Sequence, residues 1–162
     1  MGKEIERKFW LPERPVFLQQ ATPQSIQQGY LAVQADGREV RLRKKDEQYT
    51  LTVKSGTGLQ RDEYEVILKE AQFQTLWPAT EGVRLRKKRY RHALPSGLTL
   101  EIDEYEEPLT GLLIGEIEFT DEASAQAFEP PTWLGLEVTQ YSLFKNKNLL
   151  QVTSLAELKA QL

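Results

Sequence analysis

The chain has 162 residues, of which 40% are hydrophobic, so it is long enough to fold around a real core. Its 24 acidic and 21 basic residues give a formal net charge of −3. A protein that attracts nucleic acid by its overall charge is normally basic, so any phosphate binding here has to be local. The absence of cysteine excludes disulfides, thiolate metal sites and cysteine nucleophiles, and the single histidine excludes a His-based metal cluster.

Hydropathy gives no sign of a membrane segment or an export signal. The N-terminus lacks an apolar stretch, and the longest aliphatic run, Leu112-Leu113-Ile114, is far too short to span a bilayer. We therefore expect a cytoplasmic protein with no membrane partner and no nucleic-acid partner, organised as a single domain over residues 1–162.

Alternation of apolar and polar residues with a period of two recurs along most of the chain and predicts many antiparallel strands joined by hairpins. The first predicted strand contains EIERKF, PVFLQQA predicts a short helix, Asp36-Gly37 a hairpin, SGTG at 55–58 a loop, and KEAQFQTLWPAT a helix that ends at Pro78. Asp121 is placed to cap a helix through EASAQAF. YSLFKNKNLL and SLAELKAQL predict two more short helices, the second with Ser154 and Glu157 spaced as a capping box.

Charged residues alternate within these strands in a consistent way. Because successive side chains point to opposite faces, Glu4, Glu6 and Lys8 share one face of the first strand. The same spacing relates Arg41 to Arg43, Glu63 to Glu65, Glu101 to Asp103 and Glu116 to Glu118, and it places Lys54 beside two threonines. In GVRLRKKRYR, either Arg84, Arg86 and Lys88 or Lys87 and Arg89 share the inner face, and spacing alone does not decide between them.

Two architectures explain the alternation. An open sheet would turn its charged face to solvent and its apolar face to helices. A closed barrel would carry the charges inside, at a high cost unless they are paired or offset by ions. A tunnel that holds a polyanion and divalent metals meets that condition, with Arg and Lys on phosphate oxygens and carboxylates on hard cations.

The motifs resemble those of the CYTH superfamily, the triphosphate tunnel metalloenzymes. EIERKF matches the family's E-x-E-x-K signature, and RLR, TVKS, DEYE, K-x-R-Y, EID and GEIE follow in the family's order. The resemblance extends from Glu4 to about Lys147 and is strongest to short bacterial inorganic triphosphatases. It implies an α+β fold, namely an eight-stranded antiparallel β-barrel that forms a tunnel, with short flanking helices, and a triphosphate ligand bound with Mg²⁺ or Mn²⁺, two ions per site.

Carried over position by position, the resemblance also implies roles for individual residues. The phosphate ligands would be Lys8, Tyr30, Arg41, Arg43, Lys54, Lys87 and Arg89. The metal ligands would be Glu4, Glu6, Glu63, Glu65, Glu101, Asp103, Glu116 and Glu118. We expect Glu4, Glu6, Lys8, Lys54 and Lys87 to be catalytic, and Lys87 and Arg89 are chosen as the inward pair on resemblance alone.

The expected activity is metal-dependent hydrolysis of tripolyphosphate to pyrophosphate and phosphate. Two alternatives stay open at this point: the same tunnel acting on an organic triphosphate, as an adenylyl cyclase or a thiamine triphosphatase does, and a polyphosphate-binding module without catalysis. A homodimer is compatible with the sequence. Near the C-terminus, FKNKN forms an ordinary amphipathic helix, or it brings Lys145 and Lys147 over one end of the tunnel, where they would meet phosphate.

Overall fold

Nine β-strands dominate the computed structural model, which describes residues 2–56 and 59–162. Thr57 and Gly58 of the predicted SGTG loop lie outside the described residues. The strands are β1 (Gly2–Trp10), β2 (Gln24–Val33), β3 (Glu39–Lys45), β4 (Gln48–Ser55), β5 (Gln60–Leu68), β6 (Arg84–Ala93), β7 (Thr99–Tyr105), β8 (Leu113–Glu118) and β9 (Leu136–Glu137).

Eight of these strands close into an antiparallel barrel, as expected, in the order β1-β5-β4-β3-β2-β6-β7-β8 and back to β1. β1 closes the barrel because its first half pairs with β5, where Glu4 is opposite Arg61, and its second half pairs with β8, where Lys8 is opposite Glu116. β9 was not predicted, and it continues the β5 side of β1 for two residues. The open-sheet interpretation of the alternation is therefore wrong.

Short helices flank the barrel, most of them where the sequence predicts them. They are α1 (Glu70–Leu76), α2 (Glu122–Ala127), α3 (Asn146–Leu149) and α4 (Leu155–Ala160), with single 3₁₀ turns at Val16–Gln20, Trp77–Thr80, Thr132–Leu134 and Ser142–Phe144. The single helix predicted over YSLFKNKNLL is wrong, because the extended backbone of Lys145 divides this segment into a 3₁₀ turn and a separate short helix. Asp121 caps α2, since its Oδ1 accepts from the Ser124 N–H at 2.7 Å. None of the helices in the described ranges is long and apolar enough to cross a membrane.

The predicted capping box of α4 is half correct. Ser154 Oγ accepts from the Glu157 N–H at 3.1 Å, as the spacing predicts. The Glu157 carboxylate does not return to Ser154, because it accepts from the N–H and the hydroxyl of Thr153 at 2.9 and 2.7 Å. The reciprocal bond is thus displaced by one residue toward the N-terminus.

The apolar side chains of this protein pack on the outer walls and at one end of the barrel rather than in its centre. On one outer wall, Ile5, Phe9 and Ile102 pack with Leu18 and Leu134 from the flanking segments. On another wall, α1 covers β3 and β4 through three side chains, Leu42, Tyr49 and Phe73. Burying an aliphatic or aromatic side chain of this kind contributes about 1.5–3 kcal/mol, so the outer walls supply the free energy that an apolar barrel centre would otherwise provide.

A third apolar cluster fills one end of the barrel. It brings Phe144 of the C-terminal segment against Trp10 of β1, with their ring centroids 5.3 Å apart, and includes Ile114 of β8. Gly135 allows the chain to pass close to β1 before β9, because a Cβ at this position would collide with the Trp10 carbonyl oxygen. Its φ of +80° also lies in the region that other residues avoid.

Candidate functional site

The centre of the barrel is a charged cavity of about 320 Å³. Among its lining residues are Glu4, Glu6, Lys8, Arg41, Arg43, Lys54, Glu63, Glu65, Arg89, Glu101, Glu116 and Glu118, all of which the sequence placed in the site. The three other predicted residues, Tyr30, Lys87 and Asp103, are buried in the barrel wall and do not line this cavity. The structure thus brings most of the predicted residues into one enclosed space.

The E-x-E-x-K strand contributes alternating charges that contact nearby strands on the inside of the barrel. Glu4 lies 2.6 Å from the ammonium of Lys54, which is also 3.9 Å from Glu63. Lys8 pairs with Glu116 on the neighbouring strand at 3.4 Å, and its ammonium donates to the carbonyl oxygen of Phe144 at 3.3 Å. The face that a single strand would turn to water is therefore directed at groups on other strands.

Carboxylates outnumber their cationic partners on the β1, β5 and β8 side. Neither Glu6 nor Glu118 forms an ion pair with Lys or Arg in the part of the chain that the structure describes. Burial and the charge of Glu116 raise the pKa of Glu6 well above its usual value, and burial together with Glu4 raises the pKa of Glu118. A hydrogen bond with Glu4, together with burial, raises the pKa of Glu63 to about 7. Glu6 and Glu118 thus lack a paired cation, and Glu63 has only the Lys54 ammonium at 3.9 Å, which it shares with Glu4.

The chemistry of these donors fits a hard divalent cation. Mg²⁺ and Mn²⁺ prefer carboxylate oxygens, and a bound cation would offset both the burial and the repulsion between carboxylates that raise the pKa of Glu6 and Glu118. Within the described ranges, however, no three acidic or histidine side chains already stand in a cluster that could hold an ion. Glu4 and Glu116 contact lysine ammonium groups instead, so binding a metal would require them to exchange these contacts for the cation.

A buried triad of charges connects β6 and β7. The Asp103 carboxylate accepts two hydrogen bonds from the Arg89 guanidinium, at 2.7 and 2.8 Å, and lies 2.7 Å from the Lys87 ammonium. Lys87 and Asp103 are 1% and 0% exposed. Burial by itself would raise the pKa of Asp103, but Arg89 and Lys87 outweigh it and hold that pKa well below its usual range. Burial and the charge of Arg89 lower the pKa of Lys87 to about 8.

The basic strand β3 is much less well paired. Arg41 is 4% exposed, its Nε has no hydrogen-bond partner, and it forms no ion pair within the described residues. Arg43 lies 4.0 Å from Glu65, and burial together with the charge of Arg41 lowers the pKa of Arg43 to about 10. Tyr30, opposite Arg41 on β2, is also buried and accepts from Gln28 Nε2 at 3.2 Å. This wall thus presents one cation without an ion pair, Arg41, and one with a single distant partner, Arg43.

The structure places Lys87 and Arg89 on the inner face of β6, the alternative that spacing left undecided. The alternate residues point outward: Arg86 and Lys88 are exposed, and Arg84 lies over the Trp77 ring at 4.5 Å and donates to Thr80 at 2.9 Å. Arg91, at the end of the same inner row, is largely exposed but lines the cavity.

Several residues that line the cavity were not predicted from the sequence. Glu39 and Lys45 extend the inner row of β3 at both ends, and Arg61 extends that of β5, so the period of two was a signal for all three. Glu39 is buried and lies 3.5 Å from Arg61. Thr139 and Asn146 also line the cavity, but no pattern in the sequence marks them.

A C-terminal strap, defined here as residues 138–149, crosses one end of the cavity. The Val138 N–H donates to the carbonyl oxygen of Lys8 at 2.7 Å, and the Lys8 N–H donates to Thr139 Oγ1 at 3.0 Å. Farther along, Lys147 of α3 lies 3.6 Å from Glu39 and donates to the carbonyl oxygen of Gly37 at 3.3 Å. The strap is therefore fixed to β1 and to the β2–β3 hairpin.

Comparison with known proteins agrees with this geometry. An inorganic triphosphatase from Nitrosomonas europaea is 46% identical over 146 residues, which cover 90% of this chain and 95% of that protein. An inorganic triphosphatase from Acetivibrio thermocellus is 36% identical over 154 residues, covering 93% of this chain and 95% of that protein. The crystal structure of an inorganic triphosphatase superposes with a TM-score of 0.69 at 41% identity, over 95% of this chain and 98% of that one.

The family model of the CYTH domain matches residues 2–134, which include all eight strands of the barrel. The match, the two relatives and the charged tunnel agree with the motifs of the sequence. The chain belongs to the CYTH family.

Proposed function

We propose that this protein hydrolyses inorganic triphosphate to pyrophosphate and phosphate inside its tunnel, with a divalent metal as cofactor. The observation that carries the proposal is the arrangement of charge around one enclosed cavity. β3, with Arg41 and Arg43, lies four strands from β8, with Glu116 and Glu118, which is the opposite wall of an eight-stranded barrel. Cations on one wall and carboxylates on the other suit a polyphosphate chain held between protein and metal.

The basic residues act as phosphate ligands in this proposal. Arg41 and Arg43 offer planar guanidinium groups that match phosphate oxygens, and Lys8 and Lys54 offer ammonium groups beside the acidic wall. Arg89 completes the set at the surface of the cavity, and we assign Lys87 and Tyr30, which are buried in the barrel wall, a supporting part beside it. Because these donors are fixed by the strands before substrate enters, they stabilise the charge that develops on the leaving phosphate without reorganisation.

Metal dependence is a general property of the family, and the acidic residues are the groups that would provide it here. We assign Mg²⁺ or Mn²⁺, two ions per site, to ligands drawn from Glu4, Glu6, Glu63, Glu65, Glu101, Glu116 and Glu118. When bound, such a cation offsets phosphate charge and activates water for attack on phosphorus. Asp103 differs from this set because both of its oxygens contact Arg89 or Lys87, so we assign it the positioning of these two cations.

The relatives favour an inorganic substrate, since both are inorganic triphosphatases and each matches most of this chain. The strap gives independent support. Phe144 fills one end of the barrel against Trp10, which leaves less room for a nucleoside or a thiazolium ring there. We propose that the enzyme acts on tripolyphosphate in the cytoplasm as a single tunnel domain, and the homodimer stays a prediction.

The test is phosphate release from tripolyphosphate, ATP, thiamine triphosphate and pyrophosphate, each with Mg²⁺, Mn²⁺ or EDTA. We expect turnover of tripolyphosphate that requires metal and is lost in Glu6→Gln. Glu13→Gln is the matched control, because it removes the same charge from an exposed residue outside the tunnel. Comparable turnover of ATP would favour an organic substrate. Tight binding of tripolyphosphate without release of phosphate would identify a binding module.

A further inference from the structure

The inner face of β7 ends with a buried tyrosine. Tyr105 follows Glu101 and Asp103 on this face at the same spacing of two residues, and it is 3% exposed. The centroid of its ring lies 5.5 Å from the ammonium of Lys87, a member of the buried triad. Tyr105 does not line the cavity, so any contribution that it makes to ligand binding acts through a neighbouring group.

The hydroxyl of Tyr105 connects the barrel wall to the strap. It donates a hydrogen bond to Oδ1 of Asn146, which is the first residue of α3 and lines the cavity. Burial raises the pKa of Tyr105 well above its usual value, and the charge of Asp103 adds to this effect. The hydroxyl therefore keeps its proton and remains a donor to the strap.

The strap, in turn, supplies an acceptor for Lys8. Phe144, two residues before Asn146, is fully buried against Trp10, and its carbonyl oxygen accepts from the Lys8 ammonium at 3.3 Å. Within the described ranges, the one other partner of this ammonium is Glu116, at 3.4 Å. A lysine carries three donors on a flexible stem, so fixed acceptors determine where its charge lies. This carbonyl oxygen is a fixed acceptor only while the main chain of the strap is held in place.

We propose that Tyr105 is a positioning residue for Lys8 in the binding of tripolyphosphate. Its hydrogen bond to Asn146 fixes the strap, and the fixed strap holds the Phe144 carbonyl oxygen where the lysine ammonium donates to it. This inference rests on the proposed function, which makes Lys8 a ligand of that substrate. Loss of the Tyr105 hydroxyl should therefore weaken binding only to the extent that Lys8 takes part in it.

The experiment measures the Kd of tripolyphosphate by calorimetric titration in EDTA, which requires no turnover. Tyr105→Phe keeps the buried ring and removes only the hydroxyl, and loss of this hydrogen bond should raise the Kd roughly fivefold. In Lys8→Met, the same substitution should change the Kd by less than about twofold, because the ammonium that Tyr105 positions is absent. Tyr64→Phe is the matched control, since it removes a hydroxyl from an exposed residue of β5 and should match wild type.

Two outcomes would overturn the inference. One is an equal Kd for wild type and Tyr105→Phe, with or without a lower Tm, because the tyrosine would then have at most a structural role. The other is an equal loss of affinity in wild type and in Lys8→Met, because Tyr105 would then act on a different group. If wild type binds tripolyphosphate but releases no phosphate, the proposed function fails, while the Kd values still decide the role of Tyr105. A wild type that binds no tripolyphosphate would contradict both proposals.

Discussion

β3 and β6 each carry a pair of inward cations separated by one residue, but the two pairs differ in their acidic partners. On β6, Lys87 and Arg89 converge on Asp103 at 2.7 Å each. On β3, Arg41 forms no ion pair in the described part of the chain, and Arg43 has only Glu65 at 4.0 Å. The pKa values reflect this difference, since Asp103 raises the pKa of Arg89 well above its usual value against the effect of burial, whereas burial and Arg41 lower that of Arg43 to about 10.

The difference separates two kinds of buried charge. The cations of β6 have a partner within the protein and stabilise the fold, whereas those of β3 are available to bind an anionic ligand. A buried cation with a fixed partner is costly to disturb, because removal of the partner leaves the charge uncompensated. A buried cation without a partner costs stability in the free protein and gains its partner on binding. We therefore expect substitutions in the β6 triad to affect stability first, and substitutions on β3 to affect binding first.

The largest effect is expected from Asp103→Asn, which keeps the shape of the side chain but removes its charge. Lys87 and Arg89 would then be buried without an anion, so the free energy of unfolding should fall by about 3–5 kcal/mol. Urea denaturation measures this change. Glu104→Gln, at the next residue, is the matched control, because its 2.7 Å pair with Arg14 lies in a partly exposed position and should contribute no more than about 1 kcal/mol. Equal effects of the two substitutions would contradict the assignment of Asp103.

A smaller effect on stability but a clear one on binding is expected from Arg41→Gln. Loss of an unpaired buried charge should leave the free energy of unfolding unchanged or raise it by up to about 1 kcal/mol. Loss of a charged hydrogen bond to phosphate should weaken binding by about 1.5–3 kcal/mol, which raises the Kd of tripolyphosphate roughly ten- to a hundredfold. Calorimetric titration in EDTA measures the Kd, and denaturation measures the stability.

Arg89→Gln tests the same comparison from the other strand. It removes both a cavity-lining guanidinium and a partner of Asp103, so stability and affinity should fall together. If Arg41→Gln lost as much stability as Arg89→Gln, the two strands would not differ as the structure indicates.

The sequence predicted which side chains share one face of a strand better than it predicted what that face contacts in the folded protein. A period of two correctly grouped Glu4 with Lys8 and Arg41 with Arg43, because side-chain direction in a strand is a local property. The same period could not decide between the two faces of β6, since which face is inward depends on closure of the barrel by β1 and β5, far apart in sequence. The strap was predicted only in part: the sequence left open that Lys145 and Lys147 cover one end of the tunnel, but it could not show how the strap is held, because the contacts of the strap with Lys8 join residues more than 100 positions apart.

The smallest effect is expected from Lys88→Gln, and it tests the register of β6 directly. Lys88 is exposed on the outer face, so its loss should change the free energy of unfolding by less than about 0.5 kcal/mol and KM by less than about twofold. Lys87→Gln removes the same charge from the adjacent residue, which is buried beside Asp103. We expect it to lower the free energy of unfolding and, as a consequence for the neighbouring Arg89, also kcat/KM for tripolyphosphate. A shift of one residue in the strand would exchange the two results. If Lys88→Gln has no effect and Lys87→Gln has a clear one, the result supports the assignment of Lys87 to the inner face of β6. It also supports the ion pairing that distinguishes β6 from β3.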